Sequence, residues 1–205
     1  MAATARNDNH RGRKVRALLA GGLVLGVGAA VTLAAWTDQE WAIGEFGAGS
    51  FNVEGSTDGT TFTDHASAEG AAELAFELPA AENLSPGDTV AAPFVLRLDE
   101  ATSYDATVEL TDATGEGANA ANLSYGIVSV DSAAECSDTA TGTDIVPAGT
   151  ALDATTGATT FDLAAGADGA AGAETTLCFQ VTAGPDLAQS ETGTATWGFT
   201  ATSVE

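Results

Sequence analysis

The chain has very few basic residues beyond its N-terminus. Of its 205 residues, Lys and Arg account for 6 and Asp and Glu for 29, which gives a formal net charge of -23. Only Arg97 is basic beyond position 16. Because neutralising phosphates requires clustered Lys or Arg, this distribution excludes nucleic-acid binding. The acidic remainder is typical of a solvated surface that repels anionic partners.

Residues that commonly carry catalysis are also scarce. Lys14 is the only lysine, so the chain beyond it has no lysine nucleophile and no amine donor for isopeptide cross-links. His65 is the only histidine beyond His10. A Ser-His-Asp triad could in principle be assembled around His65, but there is no G-x-S-x-G nucleophile motif and no H-E-x-x-H zinc motif. We therefore expect a protein that is not an enzyme and has no catalytic residues.

The sequence contains no D-x-D-x-D-G calcium loop, and we expect neither a metal site nor a required cofactor. Neighbouring carboxylates such as Asp99 and Glu100 are interpreted as surface, because proximity means little among 29 acidic residues. Oxygen-rich loops at residues 58–60 and 162–168 leave calcium as an open alternative, since the ion is plentiful outside cells.

The N-terminus has the order of a secretory signal. Basic residues at positions 11–16 precede an uncharged run at 17–33, which is followed by the small residues Ala34 and Ala35. Thr32 and Ala34 fit the positions that a signal peptidase reads, so we predict a signal peptide at residues 1–34 and a new N-terminus at Ala35. The protein would then be secreted to the cell surface and contact the membrane only before cleavage. An uncleaved membrane anchor is the alternative.

The body of the chain has few aromatic residues, 6% of the total, and many runs in which every second residue is apolar. This period is typical of half-buried strands. We predict one all-β domain at residues 35–205, an antiparallel β-sandwich of jelly-roll or Ig-like type, preceded by an N-terminal signal helix. The segment at about 132–175 is predicted to be loop-rich. The apolar runs are Leu74 to Leu78, Phe94 to Leu98, Tyr104 to Leu110, Leu123 to Ile127, Leu177 to Val181 and Ala195 to Ala201.

Cys136 and Cys178 are the only cysteines. An even pair in an exported chain is interpreted as one disulfide, which would close the loop-rich segment. A redox-active pair is disfavoured because the spacing is not C-x-x-C.

Two stretches resemble a known family. Residues 28–38 (GAAVTLAAWTD) and 45–53 (EFGAGSFNV) are similar to the signal and first strand of TasA/camelysin-type proteins. Residues 83–90 (NLSPGDTV) with 94–98 (FVLRL) resemble that family's turn into a sheet strand. The resemblance covers roughly residues 17–110 and implies processing by a SipW-type signal peptidase and a role at the cell surface or in the biofilm matrix.

The resemblance also implies a mode of assembly, because fibre-forming relatives add their new N-terminal segment as a strand to the next subunit. Here that assembly segment is residues 35–46, with Trp36, Trp41 and Phe46. An alternative is that the tryptophans pack on their own subunit. Some camelysin-like proteins are described as metalloproteases, but a lone His65 does not supply their ligand set. The alternative function is a monomeric extracellular module that binds a glycan, an ion or a protein.

Overall fold

The computed structural model describes residues 12–19, 39–41, 43–44, 49–76 and 80–204. The chain divides into two units, Met1–Phe46 and Gly47–Glu205. In the first unit a helix spans residues 12–19, within the predicted signal helix, and its Leu18 and Leu19 are exposed. Among the described residues, no helix is both long and apolar enough to cross a membrane.

The second unit is built from β-strands, as the alternating apolar pattern predicts. In the described part of the chain the strands are β1 (Val53–Ser56), β2 (Thr89–Leu98), β3 (Asp105–Glu116), β4 (Leu123–Val130), β5 (Thr143–Ala151), β6 (Phe161–Leu163), β7 (Thr175–Ala183) and β8 (Thr194–Val204). Short 3-10 helices lie at Ala68–Gly70, Ala80–Glu82, Ala120–Asn122 and Ala133–Glu135.

The strands form two antiparallel sheets that pack against each other as a sandwich. The five-stranded sheet has the order β1-β2-β7-β4-β5, and the three-stranded sheet has the order β6-β3-β8. Alternate residues of the long strands point between the sheets, because strand side chains alternate in direction. Phe179 from one sheet and Leu110 from the other lie in the same apolar core. The predicted all-β sandwich is therefore confirmed.

The sequence pattern predicts the burial of one residue, Tyr104, wrongly. Tyr104 was expected to share a buried face with Ala106, Val108 and Leu110, but it is 45% exposed. Strand β3 begins only at Asp105, so Tyr104 lies in the preceding turn, where the alternation of the strand does not apply. The three residues within the strand are buried as predicted.

The segment predicted to be loop-rich contains β5 and β6 in addition to its loops. Strand β5 pairs with β4 through two register shifts, and Ile145 and Val146 are both buried although they are adjacent. A bulge places an extra residue in the strand, so that two adjacent side chains can be buried and the period-two pattern is lost. Gly149, with a φ of 85°, allows a left-handed backbone conformation within this irregular strand.

Both edges of the five-stranded sheet are short or interrupted. At one edge β1 has only four residues. Arg97 of β2 holds this strand, since its Nε lies 2.6 Å from a Glu54 carboxylate oxygen and its guanidinium lies 3.7 Å from the Phe62 ring centroid. At the other edge β5 contains Pro147 and its bulges. Such features prevent further strands from pairing with a sheet.

The outer face of the five-stranded sheet is covered by the loop at residues 131–142. Cys136 in this loop is bonded to Cys178 in the central strand β7, which confirms the predicted disulfide. The Gln180 amide donates hydrogen bonds to the carbonyls of Ser137 (2.9 Å) and Ala140 (3.1 Å). Cys178 has no exposed surface, so β7 is buried on its outer face as well as on its inner face.

Candidate functional site

Strand β8 is the longest edge strand among the described strands. It has eleven residues and forms one side of the three-stranded sheet, with β3 as its neighbour and no partner on its outer edge among the described strands. The sequence TATWGFTATSV contains neither a charged residue nor a proline. Long, uncharged edge strands expose unpaired N–H and C=O groups and readily pair with another chain.

The inward side chains of β8 are less buried than those of its neighbour. On β3, Val108 and Leu110 are 1% and 2% exposed. Their partners in β8, Ala201 and Phe199, are only half-buried, although they pack against the same core. The two strands pair along almost their full length, so the difference arises on the other side of β8, where none of the described strands adjoins it.

The inner face of β8 presents an aromatic wall. The Trp197 ring centroid lies 4.9 Å from that of Phe179 and 5.3 Å from that of Tyr125, and the Phe199 centroid lies 6.2 Å from that of Phe179. Among the described residues, none accepts a hydrogen bond from the buried indole N–H of Trp197. This wall offers apolar surface to an incoming segment.

Tyr125 lies behind the aromatic wall with its hydroxyl satisfied. The phenol donates a hydrogen bond to the Ala154 carbonyl at 2.7 Å and is almost fully buried. Burial raises the pKa of Tyr125 to about 12, because the phenolate loses its hydration, while the nearby Trp197 indole opposes this rise.

A cleft of about 1110 Å³ opens beside β8, between the two sheets. We call it the β8 cleft, and its walls are formed by residues 195–201 of β8, by apolar residues of β2 and by most of the residues in segment 64–76. From β2, Phe94 and Leu96 line the wall opposite Trp197. Small-molecule sites usually measure roughly 300–1000 Å³. A cleft slightly larger than this, beside a strand edge that pairs with none of the described strands, suits an extended peptide segment.

Residues 64–76, which we call the strap, pass over the β8 cleft. The apolar alternation of Leu74 and Phe76 predicts a strand, but neither residue belongs to one, and Leu78 lies outside the described residues. Both side chains are half-buried against the core, and the 3-10 helix Ala68–Gly70 lies beside β8. The strap therefore contributes side chains to the cleft without joining a sheet.

A smaller hollow of about 280 Å³ shares part of the strap. Asp58 in this hollow accepts hydrogen bonds from the backbone N–H groups of Thr60 and Thr61, and these bonds hold the pKa of its carboxyl far below the usual range. Nε2 of His65 lies 3.3 Å from the Thr63 hydroxyl. Within the described ranges, no group of three or more His, Cys, Asp or Glu side chains is placed to hold a metal ion.

The predicted site residues are only partly described. Cys136 and Cys178 are bonded to each other on the outer face of the five-stranded sheet, away from the β8 cleft. In the assembly segment, Trp41 is 90% exposed. The remaining predicted residues, which lie outside the described part of the chain, are Thr32, Ala34, Ala35, Trp36 and Phe46.

The β8 cleft is the feature that sequence reasoning missed. The apolar run at 195–201 predicts a strand, and β8 contains it, but alternation does not reveal whether a strand has one neighbour or two. A usable signal was nevertheless present: β8 is uncharged over eleven residues in a chain with 29 acidic ones. In this arrangement, an unpaired main chain and an aromatic wall can together bind an extended segment.

Comparison with protein-family models gives no match for this chain, and comparison with curated protein sequences gives no significant match.

Proposed function

We propose that this protein is an exported, acidic structural protein of the cell surface or biofilm matrix. It assembles into fibres when the N-terminal segment of one subunit adds as a strand to β8 of the next. One observation carries the proposal: the outer edge of β8 pairs with none of the described strands, β8 has no charged residue and no proline, and it borders an apolar cleft. The five-stranded sheet, in contrast, has interrupted edges.

The segment proposed to fill the cleft is residues 35–46 of a second copy. Its length is about that of the eleven-residue strand β8. Trp41 and Ile43 are 90% and 92% exposed, and in an extended segment residues two apart point to the same face. Strand addition would pair the main chains while these side chains enter the cleft beside Trp197.

Export supports the proposal independently of the cleft. The leader at residues 1–34 has the order of a signal peptide. The disulfide between Cys136 and Cys178 suits an oxidising compartment. Cleavage before Ala35 by a SipW-type peptidase would create the free segment, so that assembly would begin only after export, and membership of the TasA/camelysin family belongs to the same proposal.

The alternative is a monomeric extracellular module that uses the β8 cleft for a ligand. The cleft is larger than most small-molecule sites and borders an unpaired strand edge, and both features favour a peptide segment over a small ligand. A protein that stays monomeric and still binds a partner in the cleft would support this second candidate.

Electron microscopy of the purified chain beginning at Ala35 tests the proposal. We expect filaments from this protein and none after deletion of residues 35–46. Ala201→Glu places a charge inside the cleft and should also abolish filaments, because the carboxylate would have to lose its hydration. The matched control is Ala151→Glu, the same change at an exposed residue of β5 in the other sheet.

The control variant should form filaments like the unmodified protein. Filaments from both Ala201→Glu and the deletion variant would refute strand addition at β8. The N-terminal sequence of protein recovered from the cell surface should begin at Ala35, and an intact N-terminus there would refute cleavage.

A further inference from the structure

The strap has the side-chain pattern of a strand. Ala72, Leu74 and Phe76 are half-buried, while the intervening Glu73 and Ala75 are exposed. This alternation is that of an extended segment with one apolar face. The face points into the β8 cleft, where Leu74 and Phe76 line the same cavity as Trp197 and Phe199. The strap thus fills part of the space that an added strand would require.

The main chain of the strap does not pair with β8, although its side chains alternate like those of a strand. For residues 66–76, the described backbone hydrogen bonds are local. They run from Gly70 N–H to the Ser67 carbonyl (3.1 Å), from Ala71 N–H to the Ala68 carbonyl (3.3 Å) and from Phe76 N–H to the Leu74 carbonyl (3.0 Å). None of the described ones reaches β8. The strap is therefore held over the cleft mainly by apolar contacts.

The beginning of the strap, unlike the rest of it, is held by hydrogen bonds to other parts of the chain. Thr63, just before the strap, exchanges two backbone hydrogen bonds of 3.0 Å with Gly55, and Asp64 accepts a hydrogen bond from the Asn52 amide at 2.8 Å. A segment fixed at its start and held by apolar contacts beyond can move away from the cleft without disturbing the sheets.

We propose that the strap is an autoinhibitory segment, which covers the β8 cleft in the free subunit and is displaced when a strand adds to β8. This inference rests on the proposed function, because it assigns a regulator to the same site. An added strand gains main-chain bonds to β8 that the strap does not make, so exchange favours the assembled form. In the free subunit the strap shields the aromatic wall, as covering segments do at other exposed sheet edges.

Peptide binding to the monomeric chain beginning at Ala35 tests the strap. The probe is a fluorescent peptide with the sequence of residues 35–46, and its association is followed by anisotropy at protein concentrations too low for filaments. The double variant Leu74→Ala/Phe76→Ala weakens the strap and should raise the association rate about tenfold, because a larger fraction of subunits has an open cleft. The dissociation rate should change little, since the displaced strap makes no contact with the bound peptide.

Two further variants control for folding and for direction. Ala75→Ser alters an exposed residue of the same strap that does not line the cleft, and it should leave the rates unchanged. Ala72→Val adds apolar surface to the strap and should slow association about threefold. This opposite sign keeps the test decisive even if the double alanine variant fails to fold.

The outcomes distinguish a failure of the autoinhibitory strap from a failure of the proposed strand addition. Equal association rates in all variants would overturn the strap as an inhibitor while leaving strand addition intact. Faster dissociation from Leu74→Ala/Phe76→Ala would also overturn it, because the strap would then be a lasting wall of the binding site. Failure of the peptide to bind any of these proteins would overturn the proposed function itself.

Discussion

The two sheets of the sandwich differ in how completely their strands are covered. In the five-stranded sheet, the central strand β7 is flanked by β2 and β4, and its outer face lies under a disulfide-bonded loop. In the three-stranded sheet, β8 has a neighbour on one side only among the described strands, and its inward aromatic residues are half-buried. The central strand of the first sheet is therefore covered on both sides, whereas the edge of the second sheet has space for one more strand.

Under the proposed function, this difference places stability and assembly in separate parts of the fold. The five-stranded sheet is stabilised by the burial of its central strand β7, by a disulfide and by short or interrupted edges. The three-stranded sheet keeps a long edge without the charges and prolines that normally prevent pairing. Under the same proposal, the acidic surface elsewhere would keep free subunits apart until the assembly segment binds.

Truncating one phenylalanine in each sheet tests this comparison with the largest expected effect. Phe179 of β7 is 1% exposed, and Phe179→Ala should lower the free energy of unfolding by about 3 to 5 kcal/mol. Phe199 of β8 is half-buried, and Phe199→Ala should cost only about 2 kcal/mol, because less surface returns to water. Urea denaturation measures both values. Equal losses would mean that the cleft is closed in solution.

Removing the disulfide should affect the covered sheet without affecting assembly. The bridge links residues separated by 42 positions, so the variant Cys136→Ser/Cys178→Ser should lose about 4 kcal/mol in the chain-entropy model. Denaturation of the oxidised protein and of the variant gives this difference. Because the bridge lies on the face opposite the β8 cleft, folded variant protein should still form filaments. Loss of filaments from folded variant protein would contradict the separation of the two roles.

Tyr125, where the two sheets meet, gives a smaller effect that depends on pH. Its folded-state pKa of about 12 exceeds the ordinary value of 10.0, so the folded state favours the neutral phenol. Its contribution is fully present below pH 10 and is lost as pH rises toward 12, by about 2 to 3 kcal/mol. Denaturation at several alkaline pH values should detect the loss, and Tyr125→Phe should lack this component. An unchanged alkaline profile in Tyr125→Phe would show that the phenol is solvated.

The sequence predicts the sandwich well because long strands with one buried face carry their own periodicity. The runs that became β2, β3, β4, β7 and β8 are of this kind. Prediction fails where that physical rule does not hold. The bulges of β5 remove the alternation around Ile145, and Leu74 and Phe76 alternate in the strap without any pairing partner. The disulfide was predictable because two cysteines can form only one pair within a chain.

The candidate site was less accessible from sequence than the fold. The assembly segment follows from a resemblance at the leader junction, whereas the cleft depends on which strands are neighbours. Strand order is set by contacts between distant residues, such as the ring contact of Phe179 with Trp197, and local periodicity does not encode it. The absence of charge in β8 was the one local signal.

Amide hydrogen exchange along β8, before and after assembly, tests most directly whether this edge accepts a strand. In the free chain beginning at Ala35, β8 amides on the outer edge should exchange fast, while those bonded to β3 are protected. In filaments both sets should be protected, while exchange in β7 stays unchanged. Protection of the outer edge in the free subunit, or an identical pattern in filaments, would contradict the account.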